Sequence, residues 1–503
     1  MAKHQDTGKK VFRRFEKTIS THGIHIKLMM MIFLTCSLVY IISWSGHHYS
    51  IDGMVMFQSA KALLFRNSFK LNPPINWGME IDVSKWAIGF TFVYTMILAG
   101  LSSLPPLKNI DFNFMPYDPD EKFNELLLYD PTYRYSSFIN PFITAITAVF
   151  LYYLCIQLRL SKKQAAAAAL VYGIASPAAV YAKLDFAQPL ASLFVVLALI
   201  FFIRSRTNGS KNLIASGVFL GLAVLSRTEM LIVPASIFVV AAYFVEPRQR
   251  AGTFFSLQGL KNILLISFPV IGFLLINQYI NYLRFGSWFA VGYQPTQEFA
   301  YNIFATISAL VSNLVSMNRG VMLYFPLSIL SIFGITTFIK KDRLIGLVLL
   351  FTVIGSWVMY SMWVDWDAGI SWGPRFFIPI MPYLIIFAFF VLERDKPSPS
   401  WLITLFIISI ILGAISSSQG LLFTKLTGAE LITFLVSYSI KLDELPFYID
   451  LDLFRDPKQY DIRWLDVIGK ISGLRNLVFF GCIFLLGFIS KVWADFFCTP
   501  TDK

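Results

Sequence analysis

Charge is what this chain has least of. Only 14% of its 503 residues are Asp, Glu, Lys or Arg, while 56% are hydrophobic. With a mean hydropathy of +0.63, a water-solvated globular domain is excluded, because there is too little polar surface to cover it. Acidic residues are scarcer than basic ones, 30 against 42, giving a net charge of +12. In a soluble protein that surplus would raise nucleic acid as a partner. Here the basic residues fall in short clusters between apolar runs, where they set topology and face anionic lipid, so no nucleic-acid partner is expected. Cysteine is scarce as well: Cys36, Cys155, Cys482 and Cys498 lie in or beside apolar runs. Their spacing excludes a disulfide framework and a Cys/His zinc site. There is no Walker-type loop for ATP, no heptad or solenoid repeat, and no soluble catalytic domain. No secretory cleavage signal is evident, and the basic start followed by a long apolar run reads as an uncleaved signal anchor.

What the chain has in abundance is long apolar runs. Many reach the roughly 20 residues that a spanning helix needs. Backbone in a bilayer must satisfy its own hydrogen bonds, so continuous runs mean helices rather than a barrel. The 49 Phe and 11 Trp suit lipid-facing and interfacial surfaces. The expected class is an all-α polytopic membrane protein.

The basic clusters orient it. Lys3, Lys9, Lys10, Arg13, Arg14, Lys17 and Lys27 place residues 1–27 in the cytoplasm. The first run, Leu28 to Trp44, then exits. Inner loops follow at Arg159 with Lys162 and Lys163; at Arg204, Arg206 and Lys211; at Arg248 and Arg250; at Lys340, Lys341 and Arg343; and at Arg394 and Lys396. The runs between them give about twelve crossings and a cytoplasmic C-terminus. Residues 86–104 break the parity. If they spanned once, every later basic loop would lie outside, so they are expected to form a re-entrant or interfacial helix or a hairpin, turned back at Pro105-Pro106. The chain thus divides into a basic tail (1–27), a transmembrane domain (28–422), a small outer segment (423–473), and a last helix with its tail (474–503). The first outer segment spans about residues 47–135 and is acidic near Asp118, Asp120, Glu121, Glu125 and Asp130.

With this topology the distinctive polar residues meet on the outer side: Asp52, Lys85, Lys183 with Asp185, Arg227 with Glu229, Arg319, and the stretch from Trp363 to Arg375. Ionisable groups near membrane depth are costly and are functional candidates. Together they suit glycosyl transfer from a lipid-linked donor. A polyprenyl phosphate leaves without strong acid catalysis, so the protein must deprotonate an acceptor hydroxyl and hold the departing phosphate. Asp52 would be the base; Lys85, Arg375, Lys61 and Arg66 would hold the phosphate. Asp185, Glu229, Arg227 and Trp372 are candidates for contact with substrate or metal. Each position has a structural reading beside the functional one. Asp52 and Asp185 are both suited to capping a helix. Lys61, Arg66 and Lys70 suit snorkelling from an interfacial helix. Arg227 and Glu229 suit a structural ion pair, Arg375 an interfacial anchor, and Trp363, Trp366 and Trp372 a membrane-interface belt. A transporter or flippase for a lipid-linked substrate, and a non-catalytic scaffold, are the rival classes. Against the first, no inverted repeat is apparent and the charges sit at outer helix ends.

Four stretches resemble the GT-C superfamily of membrane glycosyltransferases, and within it bacterial relatives of the protein O-mannosyltransferases and of the lipid-A aminoarabinose transferase. They are Asp52-Gly53 with Gln58 to Leu64; Phe138 to Lys183; Gly221 to Arg227; and Ser371-Trp372-Gly373-Pro374-Arg375-Phe376. The resemblance covers roughly the first 390 residues. It implies a GT-C-like bundle with outer-face juxtamembrane helices, and an inverting transferase using a polyprenyl-phosphate sugar at the outer face of a bacterial inner membrane. The acceptor would be a glycan, a lipid or a protein. It implies Asp52 as general base and Lys85 as a phosphate ligand. It also raises a divalent metal, Mg or Mn, near Asp185, although this chain lacks the paired acids of metal-dependent relatives. Asp52-Gly53 stands where the protein O-mannosyltransferases carry Asp-Glu, which weakens the expectation of a protein acceptor.

Overall fold

The computed structural model describes residues 23–76, 80–107, 109–113, 127, 130–243, 257–290, 292, 302–317, 319–369, 371–393, 399–422 and 474–499. The N-terminal basic cluster up to Lys17, the acids Asp118 to Glu125, the loop residues Arg248, Arg250, Arg394 and Lys396, and the outer segment 423–473 lie outside the described residues.

The described chain is helical except for one hairpin. In order it forms α1 (Gly23–Ile42), α2 (Ile51–Arg66), strands β1 (Lys70–Asn76) and β2 (Glu80–Val83), α3 (Ile88–Ser103), α4 (Ile139–Gln157), α5 (Lys162–Ile174), α6 (Pro177–Lys183), α7 (Gln188–Asn208), α8 (Lys211–Ser226), α9 (Ile232–Tyr243), α10 (Leu257–Phe285), α11 (Ile303–Val315), α12 (Val321–Tyr324), α13 (Leu327–Lys341), α14 (Arg343–Ser361), α15 (Met381–Phe390), α16 (Ser400–Leu422) and α17 (Leu474–Cys498). The antiparallel strands pair Lys70 with Val83 and Asn76 with Glu80. Pro73-Pro74 bars a helix there.

Among the described residues, six helices are long and apolar enough to cross a membrane: Gly23–Ile42, Tyr133–Gln157, Gln188–Asn208, Gly259–Phe285, Arg343–Ser361 and Ser400–Ser418. The bent pair α5–α6 makes a seventh, with a 50° break. The roughly twelve crossings expected from sequence are not matched one for one by long unbroken helices among the described residues, because apolar composition does not register breaks; five shorter apolar helices stand beside the long ones. Ser176 caps α6 with Pro177 in its first turn. Phe325-Pro326 separates α12 from α13. Residues Arg375–Ile380 form a 3-10 segment around Pro379 before α15 begins. The run 86–104 becomes α3, 16 residues long. At 1.5 Å per residue this is about 24 Å, short of the roughly 30 Å hydrocarbon core.

Small residues allow close helix contact, as they do where lipid offers no hydrophobic drive. Gly217 and Gly221 of α8 lie on Ile266 and Phe273 of α10, where a Cβ would clash. The buried alanines Ala165, Ala166, Ala168 and Ala169 line α5. The Tyr40 hydroxyl of α1 donates to the Gly173 carbonyl of α5 (2.7 Å).

Polar contacts sort the helix ends. At one end, His25 meets the Tyr152 hydroxyl (2.6 Å), Lys163 donates to the Phe497 carbonyl (2.8 Å), Arg206 pairs with Asp342 (2.5 Å), and Lys341 with Glu393 (3.1 Å). These are the basic loops read from sequence as inner, and the end of α17 joins them. At the opposite end of α1 and α4, the Trp44 indole donates to the Ser137 hydroxyl (2.7 Å).

Candidate functional site

The site is built on the turn between α1 and α2. Ser50 has an extended backbone and its hydroxyl accepts from the Gly53 amide (2.9 Å), so Ser50, not Asp52, is the N-cap of α2. The helix accordingly starts at Ile51 rather than Gly53. Asp52 stands in the first turn, its carboxylate facing the positive end of the helix and not consumed by the cap. It lies 3.1 Å from Arg375 Nη2, and the two side chains are 17% and 12% exposed.

Asp185 holds this turn in place. It immediately precedes the Phe186-Ala187 link to α7, and both its oxygens accept: Oδ1 from the Ser50 hydroxyl (2.9 Å) and the Tyr49 amide (3.3 Å), Oδ2 from His48 Nδ1 (2.7 Å). His48 is buried and stacked on Tyr133 at 3.6 Å. Its Nε2 has no hydrogen-bond partner among the described residues. A Cβ on Gly53 would overlap the Asp185 carboxylate, so glycine is what lets the two segments meet.

From Arg375 the polar network continues inward. Gln188, fully buried in the first turn of α7, has its side-chain amide between two guanidiniums. Assigned with its oxygen toward them, it accepts from Arg375 Nε (3.3 Å) and Arg227 Nη1 (2.7 Å). The opposite orientation would set an NH2 group against five-donor guanidiniums that accept nothing. Arg227 also pairs with Glu229, which accepts from the Tyr360 hydroxyl of α14 (3.3 Å). Aromatic faces back the two cations. Arg375 lies 4.4 Å from the Phe186 ring centre and 5.4 Å from that of Phe376, which stacks on Tyr360 at 4.6 Å. The structure therefore gathers Asp52, Arg375, Arg227 and Glu229 from the sequence candidates and adds Gln188, Tyr360 and Phe186.

Other candidates stand elsewhere. The Lys61 ammonium is buried against Asp130 (2.5 Å), which also accepts from Gln58 (2.7 Å) and from the Thr132 amide and hydroxyl (2.8 and 2.6 Å). Burial alone would raise the Asp130 carboxyl, but Lys61 and the Thr132 bonds outweigh it and hold the group below its usual range. Lys61 is thus not a snorkelling residue: its ammonium is committed to Asp130. Arg66 reaches the Asn72 carbonyl and the Asn113 side chain (3.2 Å), clasping β1 to α2. Trp372 packs edge-on to Tyr324 at 4.8 Å, and its carbonyl accepts from Tyr181 (2.8 Å). Lys183 donates to the Leu421 carbonyl (2.9 Å). Arg319 is buried and clasps the carbonyls of Asp367 and Gly369. Lys85 is exposed on the link between β2 and α3, its ammonium 5.7 Å from the Trp86 ring. Arg284 donates to the Trp86 carbonyl (3.0 Å), and Gly89 packs on Leu225 and Ser226, which brings that link beside the Arg227 loop.

The donor set does not fit a divalent metal. Both Asp185 oxygens already accept from protein donors, Asp52 and Glu229 each face an arginine, and among the described residues no three His, Cys, Asp or Glu side chains converge.

Residues 135–275 match the family described as dolichyl-phosphate-mannose-protein mannosyltransferase. That stretch runs from α4 into α10 and includes Asp185, Gln188, Arg227 and Glu229. Over that stretch the chain is similar to this family. No curated protein matches it in sequence at a significant level. Among solved structures it is similar to the undecaprenyl phosphate complex of ArnT from Cupriavidus metallidurans, at 13% identity and a TM-score of 0.47. That alignment covers 79% of this chain and 66% of that one. The archaeal oligosaccharyltransferase AglB from Archaeoglobus fulgidus, solved with an inhibitory peptide and a dolichol-phosphate, aligns at 11% identity and a TM-score of 0.47. It covers 78% of this chain and 56% of that one. The chain thus spans just under two thirds of the one neighbour and less of the other.

Proposed function

We propose that this chain is an inverting glycosyltransferase that moves a sugar from a polyprenyl-phosphate donor to an acceptor hydroxyl, with Asp52 as general base. The observation that carries the reading is the Asp52–Arg375 pair. It sets a carboxylate that can take a proton 3.1 Å from a guanidinium that can hold a phosphate, both partly accessible. The acceptor O–H gives its proton to Asp52 as its oxygen bonds to the anomeric carbon. The bond from that carbon to the phosphate oxygen breaks, its electrons leave with the polyprenyl phosphate, and a single displacement inverts the centre. Arg375 exchanges the Asp52 carboxylate for the phosphate, which both holds the leaving group and frees the base. Lys85, on the link beside the Arg227 loop, is a further candidate for the phosphate. The cluster lies opposite the basic loops. The positive-inside rule supports those loops in the cytoplasm and the site at the outer face of a bacterial inner membrane. The acceptor hydroxyl belongs to a glycan, a lipid or a protein.

The test uses proteoliposomes of the full chain given undecaprenyl-phosphate sugars, with release of undecaprenyl phosphate in the presence of cell-envelope acceptors as the readout. Release by the wild type and its loss in Asp52→Asn at an unchanged unfolding temperature are expected. Release that survives Asp52→Asn would remove the base assignment.

A further inference from the structure

Between two of the cluster's charges stands a neutral amide. Gln188 is fully buried at the start of α7. Pro189 follows it and restricts its backbone. Asp185, three residues earlier, is tied to the α1–α2 turn by the Ser50 and His48 bonds. With the amide assigned so that its oxygen faces the donors, that oxygen meets guanidiniums from two different segments, Arg375 after the Gly373-Pro374 turn and Arg227 after α8. Two like charges brought together inside a protein repel, and a group between them that accepts from both offsets part of that repulsion. A further carboxylate there would do so but would cancel one of the two charges, beyond Asp52 and Glu229, which already face them. An amide oxygen holds the two cations together without adding negative charge that would compete with a phosphate.

We propose that Gln188 is a positioning residue that sets Arg375 and Arg227 as one two-guanidinium cradle for the departing phosphate. The inference rests on the transferase reading above. Its chemical sense lies in how phosphate charge changes during transfer. A sugar phosphodiester carries one negative charge; the polyprenyl phosphate that leaves is a monoester carrying about −1.5 to −2 at pH 7. A second guanidinium held at fixed separation from the first gains most as that extra charge develops, which is the condition for lowering the barrier rather than merely tightening donor binding. Arg375 alone is enough to dock the donor, and Arg227, kept in register by Gln188, takes up the charge that appears on bond breaking. Glu229 and Tyr360 fix the other side of Arg227.

The experiment compares wild type, Gln188→Met and Gln188→Glu as full-length chains in proteoliposomes. It measures binding of undecaprenyl phosphate and the KM and kcat for an undecaprenyl-phosphate sugar. Gln188→Met keeps the volume and removes the acceptor. It is expected to weaken undecaprenyl phosphate binding and lower kcat by about tenfold or more, as misplacing a positioned group does, with KM for the donor little changed. Gln188→Glu restores an acceptor for both arginines but adds a negative charge. It is expected to weaken the monoester more than the diester donor. Gln188→Met should add no further loss of kcat in an Arg227→Met background, because each removes the same second guanidinium. Unchanged undecaprenyl phosphate binding and kcat in Gln188→Met, with wild-type activity present, would overturn the positioning role while leaving the transferase reading intact. A wild type that neither binds undecaprenyl phosphate nor releases it would overturn both. If Gln188→Met does not fold, Gln188→Asn, which keeps the amide but draws it back by one methylene, is expected to show the same fall in kcat at fixed KM, and wild-type kcat there would overturn the proposal.

Discussion

Helix α2 carries two ion pairs that differ in almost everything but charge. Lys61 and Asp130 are sealed, with side chains 2% and 0% exposed, and every Asp130 oxygen is spoken for by Lys61, Gln58 or Thr132. Asp52 and Arg375 are 17% and 12% exposed and meet by one contact 3.1 Å long. The first pair locks the residue 130–135 segment onto α2. The second has room for a third party. A cation or carboxylate near a membrane face is a site when its partner can be exchanged, and scaffold when it cannot. Counting charges on a helix does not separate the two; partner saturation does.

The comparison breaks most decisively at Asp52. Asp52→Asn should lower transfer by about 100- to 10,000-fold, the range for loss of a positioned base, with the unfolding temperature in detergent nearly unchanged. A large drop in that temperature would place Asp52 with Lys61 as scaffold. Conversely, Lys61→Met leaves an unpaired buried carboxylate and should cost about 3–5 kcal/mol, read as a lowered unfolding temperature and poor yield. Lys61→Met combined with Asp130→Leu should recover part of that loss. Recovery of transfer without recovery of stability would mean that Lys61 serves the chemistry. Gly53→Ala should cost about 1–3 kcal/mol through overpacking against Asp185, and should reduce transfer more than that loss alone explains because it shifts the turn bearing Asp52.

The pH response sharpens the contrast further. The folded Asp130 carboxyl is held below its ordinary value of 3.8. The unfolded chain therefore takes up its proton first, and the pair's contribution is fully present above the ordinary carboxylate range. It is lost only as pH falls through the lowered folded value. Thermal unfolding followed from pH 7 downward should show this loss, and Asp130→Asn should abolish that part of the slope. The smallest effect belongs to the opposite end of the bundle. Arg206→Ala breaks an exposed pair with Asp342 and should change stability by about 0–1 kcal/mol, the more so at low salt.

Much of this was legible in the chain. Asp52, Arg375, Arg227 and Glu229 were picked out because ionisable groups at the ends of apolar runs are rare and costly, and the structure brings all four together. The signals missed were of another kind. Gln188, in Phe186-Ala187-Gln188-Pro189, is a neutral residue whose role exists only once Arg227 and Arg375 converge on it. Asp130 looked like one member of an acidic loop until Lys61, 69 positions away, closed on it. His48 did leave a trace. It is one of five histidines in the chain, beside His47 at the end of the first apolar run, and that placement alone could have marked it as a partner for a carboxylate.

The sequence by itself determined the solvent and which loops share one end of the bundle. Composition demands a bilayer, and the basic loops gather at one end of the helices, because both depend on the sum of many residues and tolerate local error. Ser50 and Gly53 likewise write the start of α2 into four consecutive residues. Only the tertiary structure decided which charges are exchangeable. That depends on whether a carboxylate's remaining lone pairs find donors from distant segments, as Asp130 and Asp185 do and as Asp52 does not to the same degree. Such partners are set by packing, which sequence spacing does not report.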